Sequence, residues 1–389
     1  MENLPEIKGY RRSCGRFGIR NHVLVIGTVS CVNGVINRVA REVPEAVSVP
    51  HAHGCGRGGA RDVEILFRVL TGMIRHPNVG AAVLVGLGCE VSNTGNLFSH
   101  LADIGKPLTV LNVQEEGGSL KTADKAAEAA RDYLALLSNA KREPMEWKDM
   151  LLSIECGGSD AMSGVTANVA MGAVADWLVD QGASVLIGEN TEMIGTAHVL
   201  ARRAENEDVA GRITDMVDRA EERARDIMGD AAGLVISPGN MDGGMSTIAE
   251  KSMGCIIKGG SRPIVQVVDY GEHPSKRGLI LQDGPGYDVD SMAGFAASGS
   301  QLMFFTTGRG TPAGFPGIPV IKAASNSTIY HAMKDDMDIN AGSLVEGKSL
   351  DELKEEIIGR MTSVINGELT KPEANGMDVF SFMTVHPPF

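Results

Sequence analysis

The chain has 389 residues, 43% hydrophobic and only 4% aromatic, with 48 glycines, 19 methionines and a net charge of −13. That acidity, with a pI near 5.2, argues against nucleic acid and anionic membrane as partners, and no run of about 18 apolar residues predicts a membrane span. Such a length outgrows one core and predicts two domains; six cysteines without a framework spacing predict free or metal-bound thiols in a reducing cytoplasm.

The first half alternates. Apolar runs predict strands over 22–28, 46–50, 81–87 and 108–113, and helical spacing predicts helices over 32–42, 62–74, 97–104 and 118–138. Uninterrupted apolar strands separated by helices imply a parallel sheet covered on both faces. Residues 139–148 are polar, contain one proline and read as a linker. A second α/β unit follows, with strands over 150–155, 183–188, 263–269, 279–281, 302–306 and 319–323. Its helices are expected over 165–181, 193–204, 206–228 and 350–365, the last capped by Ser349. The fold expected is α/β: two α/β domains, 1–140 and 149–389, each with a mainly parallel sheet covered by helices.

The chemistry sits just after strand ends, where open α/β sheets bind ligands. Apolar residues 150–154 run into Glu155-Cys156-Gly157-Gly158-Ser159-Asp160, and a helix opens near Asn168. A glycine turn feeding a helix N-terminus makes an anion cradle, and Cys156, Ser159 and Asp160 add a thiol, a hydroxyl and a carboxylate; the plainer reading is a capped turn. His51, His53 and Cys55 end the second strand, and Cys89 ends the third. Imidazole and thiolate are both ligands for iron or zinc, so His51, Cys55, Cys89 and Cys156 form the expected metal set, set against simple burial of each. Cys14, Cys31 and Cys255 read as structural. Glu189 follows another strand with His198 beyond it; Glu189 could be base, ligand or helix cap, and His53 or His198 could be the base. Gly157, Gly158, Asn168 and Asn240 line the expected substrate site, and Arg309 is a candidate clamp for a carboxylate or sulfonate.

GYRRSCGRFGIRN, HGCG, HPNVGAAVLVGLGCE, CGGSD, SPGN, GPGYD, TTGRGT and DDMDINAG follow one another in this order. The series resembles the large catalytic part of the altronate/galactarate dehydratase family along nearly the whole chain. The resemblance implies a lyase that uses ferrous iron to eliminate a group β to the carboxylate of a 2-hydroxy acid, with a four-iron cluster as the second choice of cofactor. In sugar-acid members water leaves; in sulfolactate-cleaving members sulfite leaves and pyruvate forms. It also implies a small SAF-type domain, expected here as a separately encoded subunit, and an oligomer acting on a small anionic substrate. Met162, Ile194 and Met241 stand where sugar-acid members often carry larger or polar groups, which fits a substrate with fewer hydroxyls. The expectation is therefore cleavage of (2R)-sulfolactate, with sugar-acid dehydration and non-catalytic sugar-acid binding as alternatives. A dehydrogenase is disfavoured because no G-x-G-x-x-G follows the first strand.

Overall fold

The computed structural model describes residues 4–387 except 57–58, 92–93, 102 and 235. In the first half, strands Val47–Val49, His22–Gly27, Val79–Gly86 and Leu108–Asn112 lie in that spatial order and pair in parallel. Alternate side chains of one strand go to opposite faces. Val23 and Val25 accordingly meet helices Asn33–Glu42 and Ser119–Leu137, whereas Leu24 and Ile26 meet helix Ala60–Arg75.

The second half contains a seven-stranded sheet. Its order is Ile264–Asp269, Leu279–Asp283, Ser184–Ile187, Leu151–Cys156, Leu302–Thr307, Val320–Ala324 and Ile339–Asn340, and every pairing is parallel. One face is covered by helices Ala167–Asp180, Glu207–Met228 and Leu350–Ile365. The other face shares a core with the first sheet, through Met292 and Phe295 of helix Asp288–Ala297 and Val69 and Leu70 of helix Ala60–Arg75. Parallel pairing throughout brings the C-terminal ends of the inner strands to one edge, and the loops that leave that edge carry the polar clusters.

Several expectations change. The stretch 139–148 is not only a connector: Glu143–Met145 pairs antiparallel with Ile7–Arg11, placing Ile7 opposite Met145. The helix expected over 193–204 is a 3-10 turn at Asn190–Met193 followed by the short helix Ala197–Ala201. Helix Asp288–Ala297 is absent from the sequence reading because it is packed on all sides and so shows no apolar stripe. The Ser349 cap is present, its hydroxyl accepting from the Glu352 amide. The C-terminal segment returns to the first half, where Asp62 accepts from the Val385 and His386 amides. Among the described residues no helix is long and apolar enough to cross a membrane.

Candidate functional site

Strand Leu151–Cys156 is buried at every position, yet carries Glu155 and Cys156 at its C-terminal end. Side-chain alternation sends these two neighbours to opposite faces of the sheet. They nucleate two polar clusters that meet at Glu189.

On the Cys156 side, its Sγ lies 2.9 Å from Ser159 Oγ and 3.9 Å from Cys255 Sγ. The hydrogen bond from the Cys255 thiol, working against burial, brings Cys156 down to about 6, and the same pairing pushes Cys255 well up. A carboxylate oxygen of Glu192 lies within 4.8 Å of both sulfurs. It is paired with Lys251 at 2.9 Å and Lys258 at 3.1 Å, which hold it down to about 2 against the upward push of burial.

On the Glu155 side, Glu155, Glu189 and Asp288 converge with carboxylate oxygens within 4.8 Å of one another. Ser291 Oγ donates to Glu155 Oε2 at 2.7 Å. Glu189 takes Lys258 Nζ at 2.5 Å and the Cys156 amide at 3.1 Å on one oxygen. It is the only non-glycine at positive φ (66°) among the described residues, a strained backbone that these two bonds over-determine. Burial lifts Glu155 to about 8 and Asp288 to about 6, and with Glu155 and Glu192 alongside it lifts Glu189 well above the carboxylate range. Gly157 permits the arrangement: a Cβ there would stand 2.1 Å from Asp288 Oδ2. Lys322, fully buried, lies over the Phe305 ring with Nζ 3.6 Å from the centroid. Burial pulls it to about 7, against the neighbouring Asp288 and Glu155.

These two groups are the ones able to gather a metal ion among the described residues. They differ in what the chain has already satisfied. Glu192 in the thiol group is neutralised by two ammonium groups. With all three carboxylates ionised, Oε1 of Glu155 and Oε1 of Glu189 have no donor; a proton shared between the two carboxyls, or a divalent cation, fills that gap. Glu155, Glu189 and Asp288 thus offer an all-oxygen donor set of the kind that suits a divalent cation.

The expected metal set is not brought together. Only Cys156 belongs to either group. Both nitrogens of buried His51 are engaged: Nε2 donates to the Gly27 carbonyl at 2.7 Å and Nδ1 accepts from the His53 amide. His53 stacks on Phe382 at 3.6 Å, and its Nε2 accepts from the Phe382 amide. Cys55 and Cys89 are exposed at ends of the first sheet, and His198 is exposed on its short helix. Asp160 has a structural employment: it accepts from Ser163, Ser325 and Asn326, tying its own loop to the one that follows strand Val320–Ala324. Asn240 donates to the Ser159 carbonyl at 2.8 Å and Asn168 to the Gly254 carbonyl at 3.0 Å, so both hold loops of the site. Gly158, at φ +62°, accepts from the Gly308 and Arg309 amides, while the Arg309 side chain is exposed. Ile194 packs against Ala220, Ala224 and Ile248, and Met241 is exposed.

Lys258 and Lys322 carry no motif in the sequence, Asp288 shows there only as the end of the GPGYD turn, and Cys255, expected as structural, joins Cys156 and Glu192. The available signal was a lone charge inside an apolar strand: Glu155 in LLSIEC and Lys322 in VIKAA, residue types almost never fully buried unless partnered.

Residues 147–387 match the family described as D-galactarate/Altronate dehydratase, C-terminal, and residues 9–138 match D-galactarate dehydratase/Altronate hydrolase, second domain. The altronate dehydratase of Bacillus subtilis (strain 168) is 34% identical over 95% of this chain and 75% of its own length. The (2R)-sulfolactate sulfo-lyase subunit beta of Chromohalobacter salexigens is 33% identical over 95% of this chain and 94% of its own length. The galactarate dehydratase (L-threo-forming) of Escherichia coli (strain K12) is 32% identical over 89% and 71%. Matches of this extent, running through both sheets and every loop of the site, mean that the chain belongs to the D-galactarate/altronate dehydratase family.

Proposed function

We propose that the chain is the catalytic part of a lyase that removes the C2 proton of a small 2-hydroxy acid and expels the group on C3. The observation that carries this reading is the buried convergence of Glu155, Glu189 and Asp288 beside Lys322 and Cys156, at the strand ends where the family motifs fall. A C2 proton next to a carboxylate is weakly acidic, so its removal requires positive charge held against the carboxylate and hydroxyl in a water-poor site. Ferrous iron, held by Glu155, Glu189 and Asp288, would supply Lewis acidity at those oxygens. Lys258 keeps Glu189 oriented, the Gly157-Gly158 turn admits Asp288 to the centre, and Asn168 and Asn240 fix the loops around Cys156 and Ser159.

For the substrate we propose (2R)-sulfolactate, cleaved to pyruvate and sulfite: the C2 proton leaves, the C3–S bond breaks with its electron pair on sulfite, and the enol ketonises. Support is the match along nearly all of a sulfolactate sulfo-lyase subunit beta; because that relative is a subunit, a small SAF-type chain is the proposed partner. Identity of 34% to an altronate dehydratase, against 33% to the sulfo-lyase subunit, supports a second reading, in which water leaves from a sugar acid. Anaerobic co-purification with the small subunit, followed by assay of sulfolactate, altronate and galactarate, decides between them. Sulfite and pyruvate from sulfolactate are expected. A 2-keto-3-deoxy acid from a sugar acid without sulfite release overturns the substrate, and no turnover of any of the three overturns the lyase.

A further inference from the structure

The three lysines of the cluster are unlike one another. Lys258 Nζ lies 2.5 Å from Glu189 and 3.1 Å from Glu192, and Lys251 Nζ lies 2.9 Å from Glu192. Lys322 is 0% exposed and its ammonium has no hydrogen-bond acceptor. Burial without an acceptor disfavours the charged form of such a group, and an anion that enters to accept its N–H groups would restore the ammonium.

Its position says what that partner would meet. Lys322 is the register partner of Phe305, and Phe305 is the register partner of Glu155, so the three side chains leave one face of the sheet in a row. The Phe305 ring lies between the two charges and faces the ammonium at 3.6 Å. Phe305 Cζ and Asp288 Oδ2 lie 2.7 Å and 2.1 Å from the point where a Gly157 Cβ would stand, so the glycine turn, ring and carboxylate form one continuous patch. Asp288 is half-buried and its neighbour Tyr287 is 61% exposed, so the patch meets solvent through the 284–288 turn. The ring holds the ammonium in place through its negative face but cannot accept its N–H groups as a carboxylate does.

We propose that Lys322 is a catalytic residue that receives the carboxylate of the 2-hydroxy acid, pairing with it beside Glu155 and Asp288. This rests on the lyase reading above and adds a substrate contact to it. Paired with the carboxylate, the ammonium withdraws charge from the carbon chain where negative charge develops as the C2 proton leaves. Arg309, the clamp expected from sequence, is exposed and stands beside the Gly158 turn.

Lactate tests the proposal, because it is a 2-hydroxy acid with no leaving group on C3. By titration calorimetry, Lys322→Met should bind lactate about 10–100-fold more weakly than wild type, the scale of losing a hydrogen-bonded charge. Bound metal and melting temperature should stay near the wild-type values, since the variant removes a charge that has no acceptor. Ethylammonium should restore part of the binding to Lys322→Ala, which a purely structural lysine would not allow. Lys322→Met binding lactate like wild type, or wild type taking up no lactate, overturns the proposal. Should both variants fail to fold, acetic anhydride labelling of wild type is read by peptide mass spectrometry. Lactate should suppress acetylation of Lys322 several-fold; equal labelling with and without lactate, including none in either, overturns the proposal. Failure of the lyase reading is distinct: wild type would bind lactate through Lys322 and turn over none of the β-substituted acids.

Discussion

Replacing Lys258 by methionine removes the cation shared by two buried carboxylates while keeping the length of the side chain. Lys258, Glu189 and Glu192 are exposed by 2%, 0% and 3% at their side chains, so water cannot take the ammonium's place. Breaking a buried pair by deleting one partner costs about 3–5 kcal/mol, because the charge left behind is unpaired. Glu192 retains Lys251, whereas Glu189 loses its only cation and its strained backbone loses one of two restraints; burial already favours the protonated Glu189 carboxyl, which relieves part of the loss, so the lower part of that range is expected. A domain of this size loses roughly 2–4 °C per kcal/mol, a drop on the order of 10 °C. The assay is urea unfolding and thermal melting of wild type, Lys258→Met and a Lys258→Met/Glu189→Gln double variant. The double variant should recover much of the loss, since it removes the stranded charge rather than restoring a contact. Arg219→Met, which breaks an exposed pair with Asp283, should cost no more than about 1 kcal/mol. A Lys258→Met cost below about 1 kcal/mol, or a double variant less stable than the single, would refute the reasoning.

Gly157→Ala should lower kcat/KM by about 10²-fold and cost about 1–3 kcal/mol of stability, because its Cβ would displace both the Asp288 carboxylate and the buried Phe305 ring; steady-state kinetics on the substrate turned over and thermal melting measure it. Glu189→Gln and Asp288→Asn should reduce tightly bound iron after anaerobic loading, whereas Cys55→Ser and Cys89→Ser should leave it unchanged; metal analysis giving the opposite pattern would place the metal at the turns of the first sheet. The stabilising contribution of neutral His22 should fall on acidification from pH 6.5 toward 4. Burial, with Arg20 beside it, pulls His22 down to about 4 in the folded state. The unfolded chain therefore binds the proton first, and a contribution of about 3 kcal/mol present above pH 6.5 is lost as the pH falls. Unfolding free energies of wild type and His22→Leu at pH 7 and pH 5 check this: the advantage of wild type over the variant should shrink by roughly 2 kcal/mol between the two, and an unchanged difference would refute it.

The sequence by itself determined the α/β class and most of the strands, because strands buried on both faces must be continuous apolar runs and their covering helices must be amphipathic. Strand 22–28 and helix 350–365 were legible for that reason, as was the Ser349 cap, whose chemistry is local. The sequence also located the edge of the sheet that carries the chemistry, since polar glycine turns after apolar runs mark strand ends. Tertiary structure alone decided which of those turns meet. Cys156 and Cys255 are 99 residues apart yet in contact, and no spacing rule joins them. Cys55 and Cys89 also end strands, but on the first sheet, where they are exposed. Lys322 and Glu155 come together only through strand order, with Phe305 between them. Helix Asp288–Ala297 was hidden for the complementary reason: packed between two sheets, it needs no polar face, and so has no period to read.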